Sequence, residues 1–137
     1  MSAKYVTIFL DLDGVLLLGN GIDRGCYNNL KILLDSVEHH IVLSSSRRFA
    51  KGVCENIQKV LGEWRVIEAL PDINTSNKSY LISEYFRYNR ESKYIILDDK
   101  ASLYSGEDLN HLILCNKYKG FDDDKLREAL DLIARLE

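Results

Sequence analysis

Proline is nearly missing from this chain: Pro71 is the only one in 137 residues. So little proline excludes a polyproline linker and a collagen-like repeat. Cysteine is scarce and odd in number. Cys26, Cys54 and Cys115 are scattered, forming neither a disulfide framework nor a paired metal or redox motif, and they fit free thiols in a reducing, cytoplasmic setting. No window holds the ~18 consecutive apolar residues of a membrane span. The opening run MSAKYVTIFLDLDG enters a strand pattern directly, without signal-peptide architecture. Excess positive charge is lacking too: 18 Lys and Arg stand against 21 Asp and Glu, a net charge of −3. That balance argues against generic nucleic-acid or acidic-membrane binding, while a local basic patch stays open. Repeats and low-complexity runs are missing. What is present is a chain 46% hydrophobic and 28% charged, of a length that predicts one domain over residues 1–137 with a core of its own.

The hydrophobic pattern alternates between strand and helix signals. Lys4–Leu10 reads as a buried strand, followed by a loop dotted with Gly14, Gly19, Gly21 and Gly25. Tyr27, Leu30, Leu33, Leu34 and Val37 recur at helical spacing, and His40–Ser44 reads as a second strand. Phe49–Leu61 reads as a helix stopped by Gly62. Trp64–Leu70 follows as a strand, Pro71–Asn77 as loop and Lys78–Asn89 as helix. Lys93–Leu97 and His111–Cys115 are further strands, and Asp122–Leu136 closes the chain as an amphipathic helix. This order predicts an α/β fold: a three-layer, Rossmann-like sandwich with a central, mainly parallel sheet. Ligands of such sheets sit beyond the carboxyl ends of the strands, so the residues after each strand carry the functional signal. They are Asp11 and Asp13, then Ser44 to Arg48, then Asp98 and Asp99.

Asp11-Leu12-Asp13-Gly14-Val15 is not a calcium loop, because Ile22 falls where the bidentate Glu belongs. Two acidic pairs brought to one sheet edge repel each other unless a cation sits among them. All-oxygen donors suit Mg²⁺. Ser44-Ser45-Ser46-Arg47-Arg48, ahead of a helix, offers hydroxyls and N–H groups to an anion, although an ordinary helix cap explains such a run as well. Lys78 opens a helix, where a cation is disfavoured by the dipole; beside four acids it reads as a charge balancer.

This order of motifs resembles the haloacid dehalogenase (HAD) superfamily of phosphatases, over nearly the whole chain. Asn74–Lys78 with Ile96–Lys100 is similar to the phosphatase domain of polynucleotide kinase-phosphatases, and the Ser-Ser-Ser-Arg run to the HAD domains of bacterial RNA-repair proteins. The resemblance implies that Asp11 is the nucleophile and Asp13 the general acid and base, a position that relatives without phosphatase activity often replace. It implies Mg²⁺ held by Asp11, the backbone carbonyl of Asp13, and Asp98, with Asp99 close by, and Lys78 offsetting the negative charge. Ser45 is the favoured phosphate-facing hydroxyl if Arg47 is matched to the Ser-Gly-Arg form, with Ser46 in place of the glycine; counting from the strand end selects Ser44 instead. Arg47 then reaches toward substrate phosphate. The 31 residues between Asp13 and Ser45 and the 32 between Ser45 and Lys78 leave no room for a cap domain, so an open site is expected. The implied activity is phosphomonoester hydrolysis on a nucleic-acid end or nucleotide. Rival readings are a small-metabolite or phosphoprotein phosphatase and a non-catalytic phosphate- or partner-binding module. No membrane partner is expected, and no oligomer is implied.

Other features have structural explanations. Asp122-Asp123-Asp124 suits a helix start. His39 and His40 precede the second strand with no third ligand in view, and His111 falls at a strand start. Trp64 and the tyrosines fit core and rim. Arg87, Arg90 and Lys93 with Tyr85 and Tyr88 fit a solvated helix face better than a nucleic-acid surface. Lys117, Tyr118 and Lys119 follow the last strand, near the expected site edge.

Overall fold

The computed structural model describes residues 5–19, 21–62, 67–90 and 93–136. Lys4, and Trp64 to Val66 at the start of an expected strand, lie outside the described residues. Five strands form one sheet: β1 (Tyr5–Leu10), β4 (Glu38–Leu43), β5 (Ile67–Ala69), β6 (Lys93–Asp98) and β7 (Leu112–Leu114). Its spatial order is β5-β4-β1-β6-β7, and every pairing is parallel.

Strands covered on both faces must be apolar at every position, with successive side chains going to opposite faces. Val6, Ile8 and Leu10 of β1, Ile41 and Leu43 of β4, and Ile95 and Leu97 of β6 join one core. The intervening Phe9, Val42 and Ile96 join the other. Helices α1 (Arg24–Ser36), α2 (Val53–Leu61) and α4 (Asp123–Arg135) cover the first face through Leu30, Leu33, Ile57, Leu61, Leu132 and Ile133. Helix α3 (Lys78–Tyr88) covers the second face through Leu81, Ile82 and Tyr85. There Phe9 meets the rings of Tyr85, Phe86 and Tyr94 edge-on at 5.6–5.8 Å, a favoured aromatic geometry. The result is the three-layer α/β sandwich with a parallel sheet that the alternation predicts. Among the described residues no helix is long and apolar enough to cross a membrane.

Three details depart from the sequence expectation. The glycine-dotted loop carries a short antiparallel hairpin, β2 (Leu17–Leu18) with β3 (Gly21–Ile22), too short to show strand periodicity. Helix α2 begins at Val53 rather than Phe49, because Gly52 in the left-handed region (φ +80°) interrupts the chain. Two 3₁₀ turns, Ala101–Leu103 and Gly106–His111, fill the connection after β6 and fold Tyr104 back against the α3 face.

Candidate active site

Register assembles the site. Leu10 pairs with Leu43 on one side and Leu97 on the other, so the next residues, Asp11, Ser44 and Asp98, stand side by side. The ladder continues through them: the N–H of Asp11 donates to Leu97 at 3.0 Å, that of Ser44 to Leu10 at 2.9 Å, and that of Cys115 to Asp98 at 2.8 Å. Because Leu10, Leu43 and Leu97 face the first core, the following side chains fall on the α3 face. Lys78 is the first residue of α3, after an Asn77 cap whose side chain accepts from the Tyr80 N–H at 3.0 Å. The helix start therefore delivers an ammonium to the acids.

Lys78 Nζ lies 2.7 Å from Asp98 Oδ2 and 3.6 Å from Asp11 Oδ1, and all three groups are buried. Asp98 accepts four hydrogen bonds. Oδ2 takes the Lys78 ammonium and the Tyr104 hydroxyl at 2.6 Å, while Oδ1 takes the N–H groups of Asp99 at 2.7 Å and Lys100 at 3.1 Å. Burial alone would raise its pKa, but the Lys78 charge and these donors outweigh burial and hold the carboxyl below its ordinary value. Asp11 goes the other way. Burial pushes it up and Lys78 opposes, but the charge of Asp98 and a shared hydrogen bond with it add to the rise, to about 7. Asp99 is also raised, by burial first and then by Asp98. Burial and the neighbouring Asp98 likewise keep the Tyr104 phenol protonated, as a donor.

Oxygens of Asp11, Asp98 and Asp99 lie within 4.8 Å of one another; among the described residues these three carboxylates make the one group of potential metal ligands so arranged. Hard oxygen donors crowded beside one ammonium fit a divalent cation such as Mg²⁺. Asp99 reaches the cluster because Gly14 makes way. With φ +78°, Gly14 would carry a Cβ only 2.3 Å from Asp99 Oδ2. The glycine of the Asp-Leu-Asp-Gly run is thus required twice, by its backbone and by its neighbour.

The remaining expected residues lie around this cluster. The Asp13 carboxylate is exposed, stands outside the metal-type group and is held by Arg47 Nη2 at 2.8 Å. The Ser45 hydroxyl accepts the Arg47 N–H at 3.1 Å. Ser44 is fully buried, and its hydroxyl has no hydrogen-bond partner among the described residues. Ser46 lines a cleft of about 300 Å³, together with Asp11, Asp13, Lys78 and Asp99, near the lower end of ligand-pocket sizes. The sequence reading missed Tyr104 and the tethering role of Arg48. Tyr104 belongs to no motif, and its approach depends on 3₁₀ turns that leave no period. Arg48 reads only as the end of the anion-favouring run Ser44 to Arg48; it is buried, donating to the carbonyls of Ser45, Leu70 and Pro71 at 3.1, 2.9 and 2.7 Å. It ties the loop after β4 to the end of β5.

The features set aside hold structural roles. Asp122 caps α4 through the Lys125 N–H at 3.1 Å, His111 stacks on Tyr94 at 3.9 Å, and His40 pairs with Glu68 at 3.0 Å.

Comparison with known proteins agrees with this fold. Over residues 7–126 the sequence matches the family described as the HAD domain in Swiss Army Knife RNA repair proteins. The chain belongs to this HAD family. Membership places it in a superfamily of hydrolases of the phosphatase type. No curated protein and no solved structure matches the chain.

Proposed function

We propose that this chain is a Mg²⁺-dependent phosphomonoester hydrolase acting through an aspartyl-phosphate on a nucleic-acid end or a nucleotide. The observation that carries the chemistry is the alignment of Asp11, Lys78, Asp98 and Asp99 at one sheet edge. The nucleic-acid end rests on the family's description, the HAD domain in Swiss Army Knife RNA repair proteins.

Asp11 Oδ attacks phosphorus in line, and the bond to the leaving oxygen breaks as Asp13 donates a proton to that oxygen. Asp13 then takes a proton from the water that cleaves the aspartyl-phosphate, which returns Asp11 and releases phosphate. Arg47, held by Asp13 in the free site, must release the acid for this proton transfer, and the incoming phosphate offers Arg47 an equivalent partner. Lys78 offsets the repulsion between phosphate and the buried carboxylates. Mg²⁺ adds further positive charge to that same balance, and the carboxylates of Asp11, Asp98 and Asp99 are the groups that would hold it. Asp99 has the freer oxygens, since all four hydrogen bonds to Asp98 come from the protein itself. We further propose Ser44 as the phosphate-facing hydroxyl rather than Ser45. It is next to Asp11 in register and lacks a partner among the described residues, and an unpaired buried hydroxyl costs about 1–3 kcal/mol, which a phosphate oxygen would recover.

The test is phosphate release from a panel with and without Mg²⁺, for the native protein and Asp11→Asn. The panel holds 3′- and 5′-phosphorylated oligonucleotides, nucleoside monophosphates, sugar phosphates and a phosphopeptide. Release that requires both Mg²⁺ and Asp11, with oligonucleotide ends preferred, is the expected result. Preference for a sugar phosphate or phosphopeptide would overturn the substrate class. Release from none, by folded protein that binds Mg²⁺, would favour the non-catalytic module.

A further inference from the structure

We propose that Phe49 is a stacking platform for the terminal nucleobase of the substrate, an inference that rests on the nucleic-acid reading above and names how that substrate is held. Phe49 lies in the irregular segment between β4 and α2, which follows the strand that neighbours β1 in the sheet. Phe49 is 56% exposed, which leaves its ring open to a stacking partner. The ring centroid lies 5.0 Å from Cζ of Arg48, and Arg48 lines the cleft that holds Asp11 and Lys78. The platform is therefore set against the cleft wall.

It is also rigidly built. Arg48 is anchored by three carbonyls, and successive turns close the segment, from the Arg48 N–H to Ser45 at 3.1 Å, Ala50 to Arg47 at 2.9 Å and Val53 to Ala50 at 3.1 Å. A pre-organised aromatic face loses little entropy on binding. Beside it, Arg47 stands at Asp13, where the proposed mechanism needs a contact to phosphate. A cleft of about 300 Å³ takes a phosphoryl group with its sugar at the floor, so the base emerges at the rim. Stacking suits that location because every base has a π face, which gives affinity without sequence preference.

Other exposed aromatics are placed less well: Tyr80, two residues after Lys78 in α3, falls about 200° round the helix from it. Tyr88 ends α3, about 15 Å along the helix from Lys78. Tyr5 begins β1, at the opposite edge of the sheet. Tyr118 follows β7, two strands from β1.

The test compares two 3′-phosphorylated oligonucleotides that differ only in whether the terminal nucleotide carries its base or is abasic, and the equivalent 5′ pair. The native protein should prefer the end with its base. Phe49→Ala should reduce that preference, as a ratio of kcat/KM values, by about tenfold or more, with the change in KM, and Phe49→Trp should keep it; stacking of one base is worth roughly 1–3 kcal/mol. A terminal 2-aminopurine bound to the Asp11→Asn protein should be quenched, and the quench should disappear on adding Phe49→Ala. Equal rates on both ends by the native protein, or an equal loss on both ends in Phe49→Ala, would overturn the platform while leaving the phosphatase reading intact. Hydrolysis of sugar phosphates but of no oligonucleotide end would overturn both.

Discussion

Replacing Lys78 by Met keeps most of the stem and removes the charge. At 2.7 Å from Asp98 and 3.6 Å from Asp11, the ammonium gains roughly 5 kcal/mol from each full negative charge at an effective dielectric near 20. Burying the ions offsets much of this. Asp11, with its pKa raised to about 7, is only partly charged at neutral pH, so Asp98 is the main partner. Removing one member of such a pair leaves the other buried and unpaired, which costs about 3–5 kcal/mol. With a urea m-value of about 2 kcal/mol/M, the unfolding midpoint should fall by roughly 1.5–2.5 M. The assay is urea unfolding in chelator, so that no divalent ion substitutes for the lysine, for Lys78→Met, Asp98→Asn and the double variant. The double variant should recover stability relative to the sum of the single losses, giving a coupling of at least ~2 kcal/mol. An unchanged midpoint for Lys78→Met, or simple additivity of the two losses, would refute the view that Lys78 balances buried charge.

Two further outcomes follow from close contacts and burial. Gly14→Ala should cost the ~1–2 kcal/mol of a left-handed alanine and also expel Asp99, whose Oδ2 would stand 2.3 Å from the new Cβ. Gly19→Ala, at φ +62° with nothing within 4 Å, should cost only the backbone part, so Mg²⁺ titration calorimetry should show weakened binding in the first variant and not the second. Among the thiols, Cys26 and Cys115 are buried, and burial pushes them up to about 11 and about 12. A thiol-exchange reagent at pH 8 should therefore modify Cys54 first and the other two only after denaturant is added; rapid reaction of Cys115 in the folded protein would contradict the packing of α4 on the sheet.

Sequence reading succeeded where chemistry and local pattern coincide. Apolar runs ending in Asp or Ser marked β1, β4 and β6, and the helix-opening lysine marked α3, because each signal lies within a few residues of its cause. It failed where a distant contact decides the conformation. Phe49 to Gly52 has helical composition, yet Arg48 binds the carbonyls of Leu70 and Pro71 and Gly52 turns left-handed. Neither is visible from hydrophobic spacing. Tyr104 is the same case inside the site, since only the folded connection brings its hydroxyl to Asp98.

The choice between Ser44 and Ser45 shows what fold geometry adds to a motif. A match to Arg47 favours Ser45, but a motif is counted along the chain, whereas the phosphate site is set across strands. In a parallel sheet with both faces covered, apolar residues occupy every position, so hydrophobicity alone fixes register weakly. The polar strand ends fix it more sharply. With Leu10 opposite both Leu43 and Leu97, Asp11, Ser44 and Asp98 all fall toward α3 and its Lys78. A slip of one residue in β4 would turn Ser44 toward the apolar core of α1, α2 and α4 and bring Leu43 to the acids. Taking Leu43 out of the apolar core that buries it and placing it among carboxylates makes that slip unfavourable. On the proposed reading, Ser44→Ala should lower phosphate affinity without lowering stability, because the hydroxyl it removes has no partner among the described residues, whereas Ser45→Ala should loosen the loop that carries Arg47.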